Sequence, residues 1–410
     1  MEYTQLKLNK FEPQSSSLGL IGIQFCVKTR LLVASLCIFS SVSAAAQLTG
    51  QFYLEKETFA RGEPVFVYLS LVNHGSDTVM IVAVDQEQPF CSGTSITVSS
   101  DPPPTSSCPF LGGQGCVTNG PLPIPQPVLP GGTYIGRFLL NFNHEINAPG
   151  EYWVDAKRNS GLNHTGDAHA RLKFRVDVKA VAPNTFQPWL DQLTSTNLEK
   201  RIEAARTLAS LAPPSLEETL LGFADNPEFR RYAPLAFHRL NTRRSIEAMA
   251  RLMEGPVTNE QIEAARYLAE TNDQSWYPLL RDAAEKNARI SSYPAYAAEL
   301  GGEKMLPVLV ALEKSPDTKF THLNAVMAMG STGSRAAIPL LLEQLESPDV
   351  DTSDRANYGL RLLTHRTAVQ NPQVRNREAE YIKWSRWWER EGATAPIYKD
   401  TECGEMVPLP

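Results

Sequence analysis

Two periods of hydrophobic residues divide the chain. In the first part apolar residues recur at every second position, as at Val65, Val67, Leu69 and Leu71 within residues 64–72. Such alternation marks a strand with one face buried. Similar short runs lie at 51–55, 78–84, 133–142, 150–156 and 171–178, with a brief one at 96–98. Turn-forming residues such as Asn73-His74-Gly75-Ser76 separate them. Short strands, turn chemistry between them and no helical period predict an antiparallel β-sandwich over residues 47–180.

The period changes after Ala180-Val181-Ala182-Pro183. Alanine and leucine rise, and apolar residues recur at helical spacing. The strings IEAARTLA (202–209) and IEAARYLA (262–269) agree at seven of eight positions, sixty residues apart. The last apolar residues of successive segments of this kind are Leu208, Leu240, Leu268, Leu300, Met329 and Leu362, a period of about thirty residues. Thirty residues hold two short helices and two turns. A second mark has the same spacing: Pro278, Pro307 and Pro339 each sit just inside the start of an apolar run. Proline there loses no intrahelical hydrogen bond. Residues 186–366 are therefore expected to form stacked helix pairs, and residues 367–410 a terminal helix and tail. Val350 to Asp354 stand as extra residues before the last helix of the series.

Two stretches interrupt the pattern. Residues 85–132 hold ten prolines and three cysteines, Cys91, Cys108 and Cys116. Proline cannot donate to a strand ladder, so this insertion is expected to be mostly loop. In the tail, Tyr381, Trp384, Trp387 and Trp388 fall on one face of a helix over 378–390. That face either covers the open end of the helix stack or offers an aromatic platform to a sugar or peptide, and the covering role is the more expected of the two.

Two resemblances sharpen the fold. Asn147 to Val154 resembles the tyrosine corner of immunoglobulin-like domains, with Tyr152 as the corner residue; Val154 stands where antibody domains have a cysteine. The repeated segments resemble HEAT-like repeats, including the short form named after bacterial phycobilisome lyases. Together these imply an all-β then all-α chain, an immunoglobulin-like β-sandwich followed by an α-α HEAT-like solenoid. The repeat family implies scaffolding of proteins or ligands on a concave helical face. A bilin-handling role by analogy with the namesake conflicts with export.

Export is read from the N-terminus, residues 1–46. A basic cluster, Lys28-Thr29-Arg30, precedes an uncharged apolar run from Leu31 to Phe39 and a small-residue stretch ending Ala44-Ala45-Ala46. This is the order of a secretory signal peptide, with cleavage expected before Gln47. Residues 1–26 exceed what such a signal needs, so translation is expected to start at Val27. Membrane contact is expected only through an uncleaved signal, and the location is periplasmic or extracellular. Four cysteines would remain: Cys91, Cys108, Cys116 and Cys403. An even number in an exported chain points to disulfides, with the pairing open.

Charge and chemistry narrow the function. Net charge is −6 over 410 residues, which argues against a nucleic-acid partner. No GxSxG elbow, HExxH or phosphate-binding loop occurs. His164, Asp167 and His169 share one loop, but surface histidines are more often solvated than metal-bound. Glu217-Glu218 reads as a surface pair on a helix. No catalytic, cofactor or metal residue is assigned, and the chain is expected not to be an enzyme. The expected function is an exported protein–protein interaction scaffold. The alternative is a cell-wall- or carbohydrate-associated binding protein or accessory hydrolase.

Overall fold

The structure is a computed structural model that describes residues 48–82, 93–101, 125–144, 146–159, 166–366, 376–400 and 406–408. Its first part is strand-rich and its second helical; both belong to one compact unit, Ala46–Pro410. No described helix is long and apolar enough to cross a membrane.

The strands form two main sheets. One joins β1 (Leu48–Leu54), β3 (Phe66–Asn73) and β7 (Thr133–Leu139), antiparallel throughout and in the order β1-β3-β7. The other has the order β2-β9-β8-β5, from β2 (Thr58–Arg61), β5 (Thr94–Asp101), β8 (Gly150–Arg158) and β9 (Ala168–Ala180). Only the β2–β9 pairing there is parallel. Alternation works as read: Val67, Leu69 and Leu71 are fully buried, in one core with Phe52, Phe138, Val154, Phe174 and Val176 from both sheets. Phe174 anchors it, stacked on Tyr152 (5.1 Å) and edge-on to Phe59 (5.5 Å). β1 passes so close to β9 that a Cβ on Gly50 would lie 2.8 Å from that of Ala168.

Four strand expectations change. The run 133–142 leaves the sheet at Leu139 and turns into a short helix, α1 (Leu140–Asn143). There the Leu140 N–H donates to the Val65 carbonyl (2.9 Å) and the Asn141 Oδ1 accepts from the Val65 N–H (2.7 Å). A side chain thus replaces the ladder partner. The brief run 96–98 is an eight-residue strand, because all of β5 pairs with β8. β2 was not read; only Phe59 of its four residues is buried, too short a pattern to show. Nor was β6 (Pro125–Val128), which lies in the proline-rich insertion and, among the described strands, pairs only with β4 (Val79–Val82). Its prolines are two apart, so their missing donors fall on one side, and a strand with one neighbour needs donors on the other side only.

The helices are α2 (Gln187–Gln192), α3 (Leu198–Leu211), α4 (Glu217–Leu221), α5 (Ala233–Leu240), α6 (Arg243–Leu252), α7 (Asn259–Glu270), α8 (Tyr277–Lys286), α9 (Ser292–Gly301), α10 (Leu306–Glu313), α11 (Lys319–Met329), α12 (Ala337–Leu345), α13 (Val350–Thr364) and α14 (Arg377–Glu391). Along one layer α3, α5, α7, α9, α11 and α13 each touch the next. The intervening helices form a second layer packed against the first. Ala204, Ala205, Ala264, Ala265, Ala297 and Ala298 are fully buried, as close helix packing requires. Polar caps start the helices: Asn197, Thr242, Thr258, Thr318, Asp349 and Asn376 each accept from a backbone N–H of the first turn.

Two helical details differ from expectation. Val350 to Asp354 are no insertion; they are the first turns of α13, begun by the Asp349 cap. Leu362 is half-buried while Leu360 and Leu363 are fully buried, so the repeated apolar position there lies beside Leu362. The tail also holds a small antiparallel pair, β10 (Tyr398–Asp400) and β11 (Met406–Pro408), which was not read.

Candidate functional site

The aromatic face of α14 turns inward. Trp384 (2 % exposed) and Trp387 (8 %) are buried, edge to face at 5.6 Å. The Trp384 indole N–H donates to Asn357 Oδ1 of α13 (2.9 Å), and Arg366 lies over the Trp387 ring (5.3 Å). Tyr381 and Trp388 are half-buried against the same helical core. Beyond the helix, Arg335 donates to the carbonyls of Gly392 and Ala395, the latter at 2.6 Å. Stacking on a sugar needs ring faces open to solvent, and two of the three tryptophans lack them.

Cys91, Cys108, Cys116 and Cys403 lie outside the described residues, as do the signal segment, most of the 85–132 insertion and His164. His169 is exposed and 3.2 Å from Asp155 Oδ1. Among the described residues no group of three or more His, Cys, Asp or Glu side chains is arranged to hold a metal ion. Glu217 accepts from the Thr242 hydroxyl (2.5 Å), and Glu218 pairs with Arg244, which holds its carboxyl below the usual range.

A polar constellation lies at the junction of strands and helices. α1 packs against α3, and Trp189 of α2 meets Phe66 of β3 with ring centroids 6.0 Å apart. Arg137 of β7 lies over that Phe66 ring (5.1 Å) and ion-pairs with Glu203 of α3. His144, just after α1, is buried; desolvation first, and the Arg239 guanidinium of α5 second, push its pKa down to about 4.

From there a polar belt crosses α5, α7 and α9. His238 stacks on Tyr267 (4.2 Å), and its Nδ1 lies 3.6 Å from Glu270 Oε2. Burial, then Arg239 and Arg266, push its pKa to about 4. It is therefore neutral at neutral pH, and its approach to Glu270 is not an ion pair. Arg266 grips Glu263 (2.7 Å) and Glu270 (3.0 Å), with its guanidinium 4.1 Å from the Tyr267 centroid. Burial raises the Tyr267 and Tyr296 hydroxyls above their ordinary pKa, and the charge of Arg266 opposes this at both. The belt is thus a row of paired charges, an aromatic ring and a neutral imidazole on neighbouring helices.

None of these junction residues was singled out from sequence. One signal was present: Arg206 and Arg266 occupy the same position in the two repeated strings, and a repeated arginine within an apolar pattern marks a polar site.

The other helix layer carries an open groove of about 460 Å³ between α4 and α6. Arg230, Arg244 and Arg251 line it with Glu218 and Asp225, over an apolar wall that includes Leu221, Ala248 and Leu252.

No known family model and no curated protein matches the chain. Among solved structures it is similar to an engineered protein, at 22% identity and a TM-score of 0.27, over 44% of this chain and 96% of that one. It is also similar to the complex of CpcE and CpcF of phycocyanin lyase from Nostoc sp. PCC7120, at 14% identity and a TM-score of 0.32, over 51% of this chain and 96% of that one. A third similarity is to E. coli alpha-2-macroglobulin, at 11% identity and a TM-score of 0.17; it covers 89% of this chain but 28% of that one. At these scores none carries an argument about function. One expectation is nevertheless withdrawn. The expectation that this chain is not an enzyme is corrected, because a structure it is similar to is that of a phycocyanin lyase.

Proposed function

We propose that this is an exported scaffold that binds another protein on the surface of its helical repeats. The observation that carries the reading is the continuous layer from α3 to α13, crossed by the polar belt of His238, Glu263, Arg266 and Glu270. Stacked repeats bury their apolar faces against neighbours and leave a long surface for recognition. The HEAT-like assignment over 186–366 is supported by the alternating layers and the repeated proline position. The immunoglobulin-like assignment over 47–180 is supported by the Tyr152 hydroxyl, which donates to the Ala148 carbonyl (2.8 Å) as a tyrosine corner does. Export, cleavage before Gln47 and a disulfide among the four cysteines belong to the same reading.

The test is affinity capture from the native envelope or secreted fraction with the full chain from Gln47. A Glu263→Arg bait, altered on the belt, runs beside it. Recovery of a stoichiometric partner that the altered bait loses supports the scaffold; repeated failure of a folded bait to recover any partner removes it. N-terminal sequencing of the secreted protein tests export independently, since a chain that retains residues 1–46 has not been processed as proposed.

A further inference from the structure

The groove between α4 and α6 differs in charge from the rest of the chain. Its lining holds three arginines, Arg230, Arg244 and Arg251, against two carboxylates, Glu218 and Asp225, whereas the whole chain has a net charge of −6. Arg244 is neutralised locally by Glu218, with Glu217 at 4.0 Å. Arg230 and Arg251 line the same groove, are exposed, and form no ion pair among the described residues. The lining thus keeps a net positive charge, which a bound carboxylate would offset, and Arg230 and Arg251 each present a planar fork matched to a carboxylate.

We propose that this groove docks an acidic segment of a partner protein, with Arg230 and Arg251 each taking one carboxylate. Of the apolar lining Leu221 is half-buried, while Ala248 and Leu252 are buried. The occupant is a peptide rather than a nucleic acid because Glu218 and Asp225 also line the groove. A continuous phosphate backbone would meet those carboxylates, while carboxylates set apart by apolar residues avoid them.

The proposal rests on the reading of the helices as a protein-binding scaffold, but its test needs no native partner. A fluorescein-labelled peptide of alternating glutamate and alanine is titrated with the full chain and followed by anisotropy. The same titration uses the Arg230→Glu/Arg251→Glu variant, whose fold is checked by circular dichroism and urea unfolding. A single-stranded thymidine oligonucleotide and inorganic phosphate serve as competitors.

Saturable peptide binding is expected, weakened by added salt and by at least about tenfold in the double variant, since two charge contacts are reversed. Absence of saturable binding to the unaltered chain overturns the proposal. So does equal affinity in a folded double variant, or competition in which the oligonucleotide outcompetes the peptide. Failure of the scaffold reading appears elsewhere, in the capture experiment with the belt variant.

Discussion

The strand region and the helical region differ in how far small residues share their interiors with large ones. Between the sheets the core is built from large side chains, with Phe52, Phe59, Phe138 and Phe174 all buried. In the helical core fully buried alanines recur, at Ala205, Ala236, Ala264 and Ala297, beside large residues such as Phe223 and Phe237. Sheets packed face to face stand about 10 Å apart, and long side chains must fill that gap. Helices approach more closely, and a small residue at the crossing sets how near they come. The strand core should therefore be sensitive to removal of volume and the helical core to its addition.

The largest test of that contrast is Phe174→Ala. Loss of the ring that joins Tyr152 and Phe59 should destabilise the protein by about 3–5 kcal/mol, read as a lower urea midpoint. The opposite change in the helices is Gly330→Val, where a Cβ would stand 2.5 Å from the Gly359 Cα. Overpacking there should cost about 3 kcal/mol. If Gly330→Val is neutral, or Phe174→Ala costs less than about 1 kcal/mol, the contrast fails.

The boundary between the regions is probed by pH. His144 is neutral in the folded chain until pH falls to about 4, while in the unfolded chain it takes a proton near its ordinary 6.5. The unfolded state thus binds more protons below 6.5, and stability is lost progressively from pH 6.5 down to about 4. The contribution of His144 is on the order of 2 kcal/mol at pH 5. Urea unfolding at pH 7 and pH 5 should show this drop, and His144→Gln should lessen it. An equal drop in the variant would remove His144 as its source.

Smaller effects follow on either side. Tyr152→Phe deletes one hydrogen bond, to the Ala148 carbonyl, and should cost about 1 kcal/mol in urea unfolding. Arg243→Ala removes an exposed pair with Glu247 on α6 and should change stability by less than about 0.5 kcal/mol. A larger loss would mean that the surface of the helical layer contributes more than its packing suggests.

The helical region was the more legible in sequence because its contacts are local and repeated. Leu208, Leu240, Leu268, Leu300 and Met329 were aligned by period alone, and all five are buried. Strands with a clear alternation, such as β3, were also visible. β2 and β6 were not, because their pairing depends on partners far along the chain and their own residues carry little pattern. The junction was hidden for the same reason: Arg137 meets Glu203 and His144 meets Arg239 only after the two regions pack together. The tryptophans of α14 were conspicuous as a cluster, but their burial depended on whether α12 and α13 stood beneath them.

The placement of α14 has a consequence for assembly. A row of like helix pairs has two raw ends, and each could template the addition of another molecule, much as an open sheet edge recruits a strand. Here α1 and β7 meet the first long helix of the row, and at the far side α14 lies on α12 while Arg335 ties down the chain that follows it. Each end of the row is therefore met by another segment of the same polypeptide.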